Sequence, residues 1–155
     1  MQRHASLKDA LDATFARASR IDTGENELRA DFARHLCVLV SGFIDQTIKN
    51  YTIEYVRKRS SVTVTNHVSK AVTNLTNLKA EKLISHLLSF DPNWKPKLEV
   101  LIADERKAAV DSVITLRHGI AHGKPGDVTI ARISNYYAEV GKVMSGIRVL
   151  MQIDD

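Results

Sequence analysis

From about Glu25 to Arg59 the chain places Leu28, Phe32, Leu36, Leu39 and Phe43 on one helical stripe, and Ile44, Ile48, Tyr51 and Tyr55 continue it. Between Leu36 and Ile44 the residues are apolar almost all round, the pattern of a helix enclosed by others rather than lying on a surface. A chain built on such a spine is expected to be an all-α bundle. Gly42 would permit a kink or the close approach of a neighbour.

The flanking segments agree with this class. Leu7, Leu11, Ala13 and Phe15 fall near helical spacing from Ser6, read as the N-cap, to about Arg20, and Asp22-Thr23-Gly24 ends that helix. Val62-Thr63-Val64-Thr65 alternates like a strand, but a lone strand has no ladder partner. Val64, Val68, Val72 and Leu75 keep helical spacing, so a weak helix is expected, held by packing against the cost of its β-branched residues. Asn77 introduces a helix from Leu78 to Phe90, broken by Asp91-Pro92; Trp94, Leu98 and Leu101 anchor a small one. Asp104 is read as the N-cap of a helix carrying Val110, Val113, Ile114 and Arg117. After a turn at Lys124-Pro125-Gly126, a last helix starts at Asp127 or Thr129 and carries Ile130, Ile133, Tyr137, Val140, Met144, Ile147 and Met151. No internal repeat, low-complexity tract or linker interrupts the 155 residues, so a single domain over 1–155 is expected. The N-terminal helix, residues 1–24, need not belong to the bundle.

Composition narrows the function classes. A single cysteine, Cys37, excludes an internal disulfide framework and fits a reducing compartment, with the cytoplasm as the default. No apolar run reaches the roughly 18 to 20 residues of a membrane span, and Asp9 and Asp12 sit where a signal peptide would have its apolar core. The formal net charge of +4 favours anionic partners without naming one.

The chemistry concentrates in Leu116-Arg117-His118-Gly119-Ile120-Ala121-His122-Gly123-Lys124, where an Arg, two His, a Lys and two Gly stand beside an apolar helix end. Arg117 continues the Val110, Val113, Ile114 stripe, so its stem should be half buried and its guanidinium offered to an anion. Residues five apart on one helix point about 140° from each other. Arg117 and His122 could therefore share a site only if the helix ended between them, and Gly119 is read as the residue that ends it, freeing His122 to fold back.

This stretch resembles the Arg-x4-6-His signature of the HEPN superfamily, and its surroundings are similar to the RiboL-PSP-HEPN family. The likeness covers roughly Leu28 to Leu150: the helix around Gly42-Phe43-Ile44-Asp45, the segment Asn77 to Trp94, and above all Leu116 to Gly123. It implies a single-domain bundle of five to six helices that forms a homodimer, bringing two Arg117/His122 pairs into one composite cleft. The implied activity is a metal-independent endoribonuclease with Arg117 and His122 catalytic and no cofactor. The 2′-hydroxyl would attack the adjacent phosphorus, one His122 acting as base and the other as acid while Arg117 clamps the phosphate; histidine suits both roles near neutral pH. The products would be a 2′,3′-cyclic phosphate and a 5′-hydroxyl. The resemblance further implies a toxin or antiphage defence effector acting on RNA, with an antitoxin or sensor protein as partner. His118 and Lys124 are expected to support His122 or bind phosphate. Some relatives carry a modified tyrosine where this chain has Lys124, a departure that argues against neutralisation by that route.

Other features have plainer readings. Asp45 could orient a site residue, but a solvated or salt-bridged carboxylate is the commoner case. Arg57-Lys58-Arg59 suits a helix C-terminus. His118 and His122 lack a third metal ligand in the sequence, so no metal is expected. Cys37 reads as an inert core residue, Tyr137 as core, Tyr136 as the remaining aromatic that could stack a base, and His35 and His86 receive no role. The rival to a nuclease is a catalytically inactive HEPN-like module that binds protein or RNA.

Overall fold

The spine expected from the apolar stripe is α2 (Asn26–Arg57), the second of seven α-helices among the described residues. The others are α1 (His4–Ala18), α3 (Val62–Ala71), α4 (Ala80–Leu88), α5 (Lys95–Leu101), α6 (Asp104–Ala121) and α7 (Ile130–Met151), with short 3-10 turns at Val72–Asn74 and Pro92–Trp94. The computed structural model describes residues 4–124 and 127–154; Pro125 and Gly126, read as a turn, lie outside them. The described residues contain no strand, so the alternation at Val62–Thr65 is helical. Five to six helices were expected for the bundle, and short α3 and α5 extend that count.

At 32 residues, α2 is about 48 Å long, and it packs against α1, α3, α6 and α7. That enclosure is why its apolar residues run round the cylinder: Leu36, Cys37, Val40, Ile44 and Ile48 are fully buried. Each buried aliphatic side chain of this kind contributes about 1.5–3 kcal/mol relative to exposure. The sulfur of Cys37 lies 3.6 Å from the carbonyl oxygen of Val113, marking where α2 meets α6. Gly42 serves no close approach, because a Cβ there would meet no atom within 4 Å.

The remaining elements close the core. Phe15 of α1 stacks on Tyr137 of α7 at 4.6 Å between ring centres, and the Tyr137 hydroxyl donates to Asp12 at 2.6 Å, tying α1 to α7. On α7, Ile133, Val140, Met144, Ile147 and Met151 are fully buried, and Thr129 caps the helix by accepting from the Arg132 amide at 3.1 Å. Two expected caps move. Ser6 falls inside α1, which starts at His4. Asp104, with φ +50°, stands in the first turn of α6, because the first helical bonds run from the Arg106 and Lys107 amides back to the Ala103 carbonyl. On α3 no residue is buried; the helix rests on its Ser61 cap, which accepts from the Val64 amide, and on the buried Val72 that follows it.

Candidate active site

Helix α6 does not end at Gly119. It runs to Ala121 with His122 as its C-cap, and Gly123, at φ +68°, supplies the left-handed residue that turns the chain away. The Lys124 amide donates to the Gly119 carbonyl at 2.8 Å and the Gly123 amide to that of Ile120 at 3.2 Å, the paired bonds of a Schellman ending. The fold-back of His122 toward Arg117 expected from an early stop therefore does not occur. On an unbroken helix these two residues point about 140° apart.

Each side chain of the stretch has a defined neighbourhood. Arg117 is half-buried, and its Nη1 donates to Asn77 Oδ1 at 2.8 Å. His118 and His122, four apart, are both exposed and lie with ring centres 4.4 Å apart at a 59° tilt. Lys124 is exposed beyond the helix end. The structure thus joins His118 to His122 and Arg117 to Asn77. Within one chain it does not join Arg117 to His122.

Asn77 belongs to an extended strip between the 3-10 turn at Val72–Asn74 and α4, held from two sides. The amides of Asn77 and Leu78 donate to the carboxylate of Asp45 on α2, whose Oδ1 is buried with no donor among the described residues. From α6, Asp111 Oδ1 accepts the Ala80 amide at 2.8 Å. Burial pushes the Asp45 carboxyl above its ordinary value, against the pull of the two amides, Lys49 and Arg117. Asp45 is therefore half-buried and, among the described residues, in no direct ion pair; it is a backbone anchor. Asn77 adopts φ +55°, a left-handed conformation that asparagine tolerates better than most residues.

Between this strip and α6 lies a groove of about 320 Å³ lined by Asn77, Lys79, Ile114, Thr115 and His118. A larger apolar groove of about 430 Å³, between α1 and α2, is lined by Leu7, Val38, Leu39 and Phe43 among others; it lies away from the polar cluster. Sequence reasoning missed Asn77, Lys79 and Thr115 as members of this neighbourhood. Its one available signal was an asparagine in the short Thr-Asn break between helices, a residue type that favours left-handed turns, and nothing there points to Arg117.

The chain matches the family described as RiboL-PSP-HEPN over residues 3–151, a span that includes all seven α-helices. The chain belongs to this HEPN family. No curated protein and no solved structure matches it. The RiboL-PSP-HEPN assignment agrees with the all-α bundle described above.

Other sites read from the sequence resolve locally. Arg57 pairs with Glu54 at 2.6 Å, Lys58 with Asp154 at 2.5 Å, and Arg59 lies over the Tyr55 ring at 4.0 Å, so the basic cluster is engaged at its own helix end. His86 contacts the Thr52 hydroxyl at 2.9 Å, and burial holds its pKa below the ordinary histidine value. Tyr136 is half-buried against the core. Among the described residues no three His, Cys, Asp or Glu side chains gather at a metal-binding spacing, and no helix is long and apolar enough to cross a membrane.

Proposed function

We propose that this RiboL-PSP-HEPN chain is a metal-independent endoribonuclease that works as a homodimer and serves as a toxin or defence effector restrained by an antitoxin or sensor protein. The observation that carries the reading is the end of α6: an exposed His122 imidazole and a guanidinium oriented by Asn77 in a chain of this family. Because Arg117 and His122 diverge on one helix, both can face a single phosphate only if a second protomer completes the cleft.

In that cleft one His122 takes the 2′-hydroxyl proton as the 2′-oxygen bonds to phosphorus. The bond from phosphorus to the 5′-oxygen breaks, and the other His122 protonates the leaving oxygen. Arg117 offers planar N–H donors to the non-bridging oxygens, where negative charge grows. The ends are a 2′,3′-cyclic phosphate and a 5′-hydroxyl.

The test is cleavage of RNA by purified protein in EDTA, compared with Arg117→Ala and His122→Ala. Losing a general acid–base group is expected to slow cleavage on the order of a hundredfold or more. If the unaltered protein cuts no RNA over a range of sequences and pH, the chain is instead a catalytically inactive binding module.

A further inference from the structure

We infer that the groove between residues 77–79 and α6 is a second phosphate subsite, holding the RNA phosphodiester next to the one cleaved. The inference rests on the nuclease reading and extends it to how the strand is gripped. Ile114 gives the groove an apolar lining, while Lys79, Thr115, His118 and Asn77 bring polar groups to it, with Arg117 attached to Asn77. Its volume, about 320 Å³, is at the low end for small-molecule sites, suited to one nucleotide unit rather than a protein element.

Two cations, Lys79 and Arg117, and two carboxylates stand around the groove. The two carboxylates beside it are already committed: Asp45 to the amides of Asn77 and Leu78, and Asp111 to that of Ala80. An accepted hydrogen bond does not remove a carboxylate's charge, and Asp45 still interacts with Arg117, so the cation that the groove itself supplies is Lys79. Among the described residues, neither Arg117 nor Lys79 is in an ion pair, whereas Lys8, Arg34, Arg57, Lys58 and Lys142 all are. The Lys79 amide donates to the Asn77 carbonyl at 2.9 Å, and its carbonyl accepts from the Leu83 amide at 2.8 Å. These backbone bonds place the lysine without using its ammonium. A phosphate entering here meets the Lys79 ammonium beside the polar groups of Asn77, Thr115 and His118 and gains a charge-assisted hydrogen bond.

The experiment measures binding of a fluorescein-labelled oligouridylate in a His122→Ala background, so that the RNA stays intact, as salt is raised from about 0.1 M. Lys79→Ala should weaken binding about tenfold and flatten the plot of log K against log salt by about 0.7, the increment for one lost contact to a single strand. Lys97→Ala, removing an exposed lysine of α5, should leave both unchanged. Thermal melting confirms that each variant is folded. If Lys79→Ala behaves like Lys97→Ala while Arg117→Ala still weakens binding, the subsite is wrong and the nuclease reading stands. An effect of Lys79 without one of Arg117 keeps the subsite and removes the proposed clamp. Absence of both effects, or of RNA binding altogether, overturns both.

Discussion

The guanidinium of Arg117 is held by a residue 40 positions away, Asn77, through a hydrogen bond of 2.8 Å. That asparagine stands at φ +55°, so one residue meets a backbone demand and a side-chain demand together, and two substitutions separate them. Asn77→Gly keeps the left-handed backbone and removes the acceptor; Asn77→Ala removes the acceptor and adds strain of about 1 kcal/mol. Urea unfolding should find the alanine variant less stable than the glycine variant by about that amount. RNA affinity should fall equally in both. Unequal affinities would mean that the side chain does not set the orientation of Arg117.

Asp45 leads to a pH prediction. Burial raises its carboxyl above the ordinary value in the folded chain, so between the two values the folded state binds more protons than the unfolded one. Stability from this group accordingly falls as pH rises through that window, from about pH 4 upward, and the cost persists above it. Asp45→Asn keeps an oxygen for the Asn77 and Leu78 amides and removes the charge. Its urea-unfolding stability near neutral pH should match or exceed that of the parent, with a shallower decline across the window. An unchanged pH dependence would assign the slope to other groups.

Two glycines should respond oppositely to alanine. At Gly119 a Cβ would stand 2.9 Å from the Lys124 carbonyl oxygen, and that backbone is held by the 2.8 Å bond closing the helix end. Gly119→Ala is expected to lower the melting temperature although alanine is the better helix former by about 1 kcal/mol. Gly42→Ala, with no atom within 4 Å of its Cβ, should raise stability by about 0.5–1 kcal/mol.

Cys37 is fully buried, and burial pushes its thiol up to about 11. Thiolate is the reactive form, so an aromatic disulfide reagent should label the protein only as it unfolds, at rates that follow the denaturant dependence of unfolding. Fast labelling of the native chain would show that the α2–α6 contact opens locally.

The helices were legible because each buries one face and repeats its apolar residues accordingly; Leu36, Ile44 and Ile48 on α2 and Ile133, Val140 and Met144 on α7 mark them directly. Ends were less legible. Gly119 and Gly123 both suit a helix terminus, and the choice fell to the residue that takes positive φ and lets the Lys124 amide reach back, a relation that spacing alone does not encode. Arg117, His118 and His122 stood out as a local cluster of unusual side chains. Asn77 and Lys79 did not, since what ties them to α6 is tertiary packing between segments distant in the chain.

The strip from Asn77 to Ala80 is moored at two points, by Asp45 of α2 and Asp111 of α6. Arg117 therefore inherits the relative tilt of those two helices, as a pointer inherits the alignment of its bearings. Anything that pries α6 from α2 by a small angle turns the guanidinium aside while every helix stays wound, so on the nuclease reading the chain is silenced without being melted.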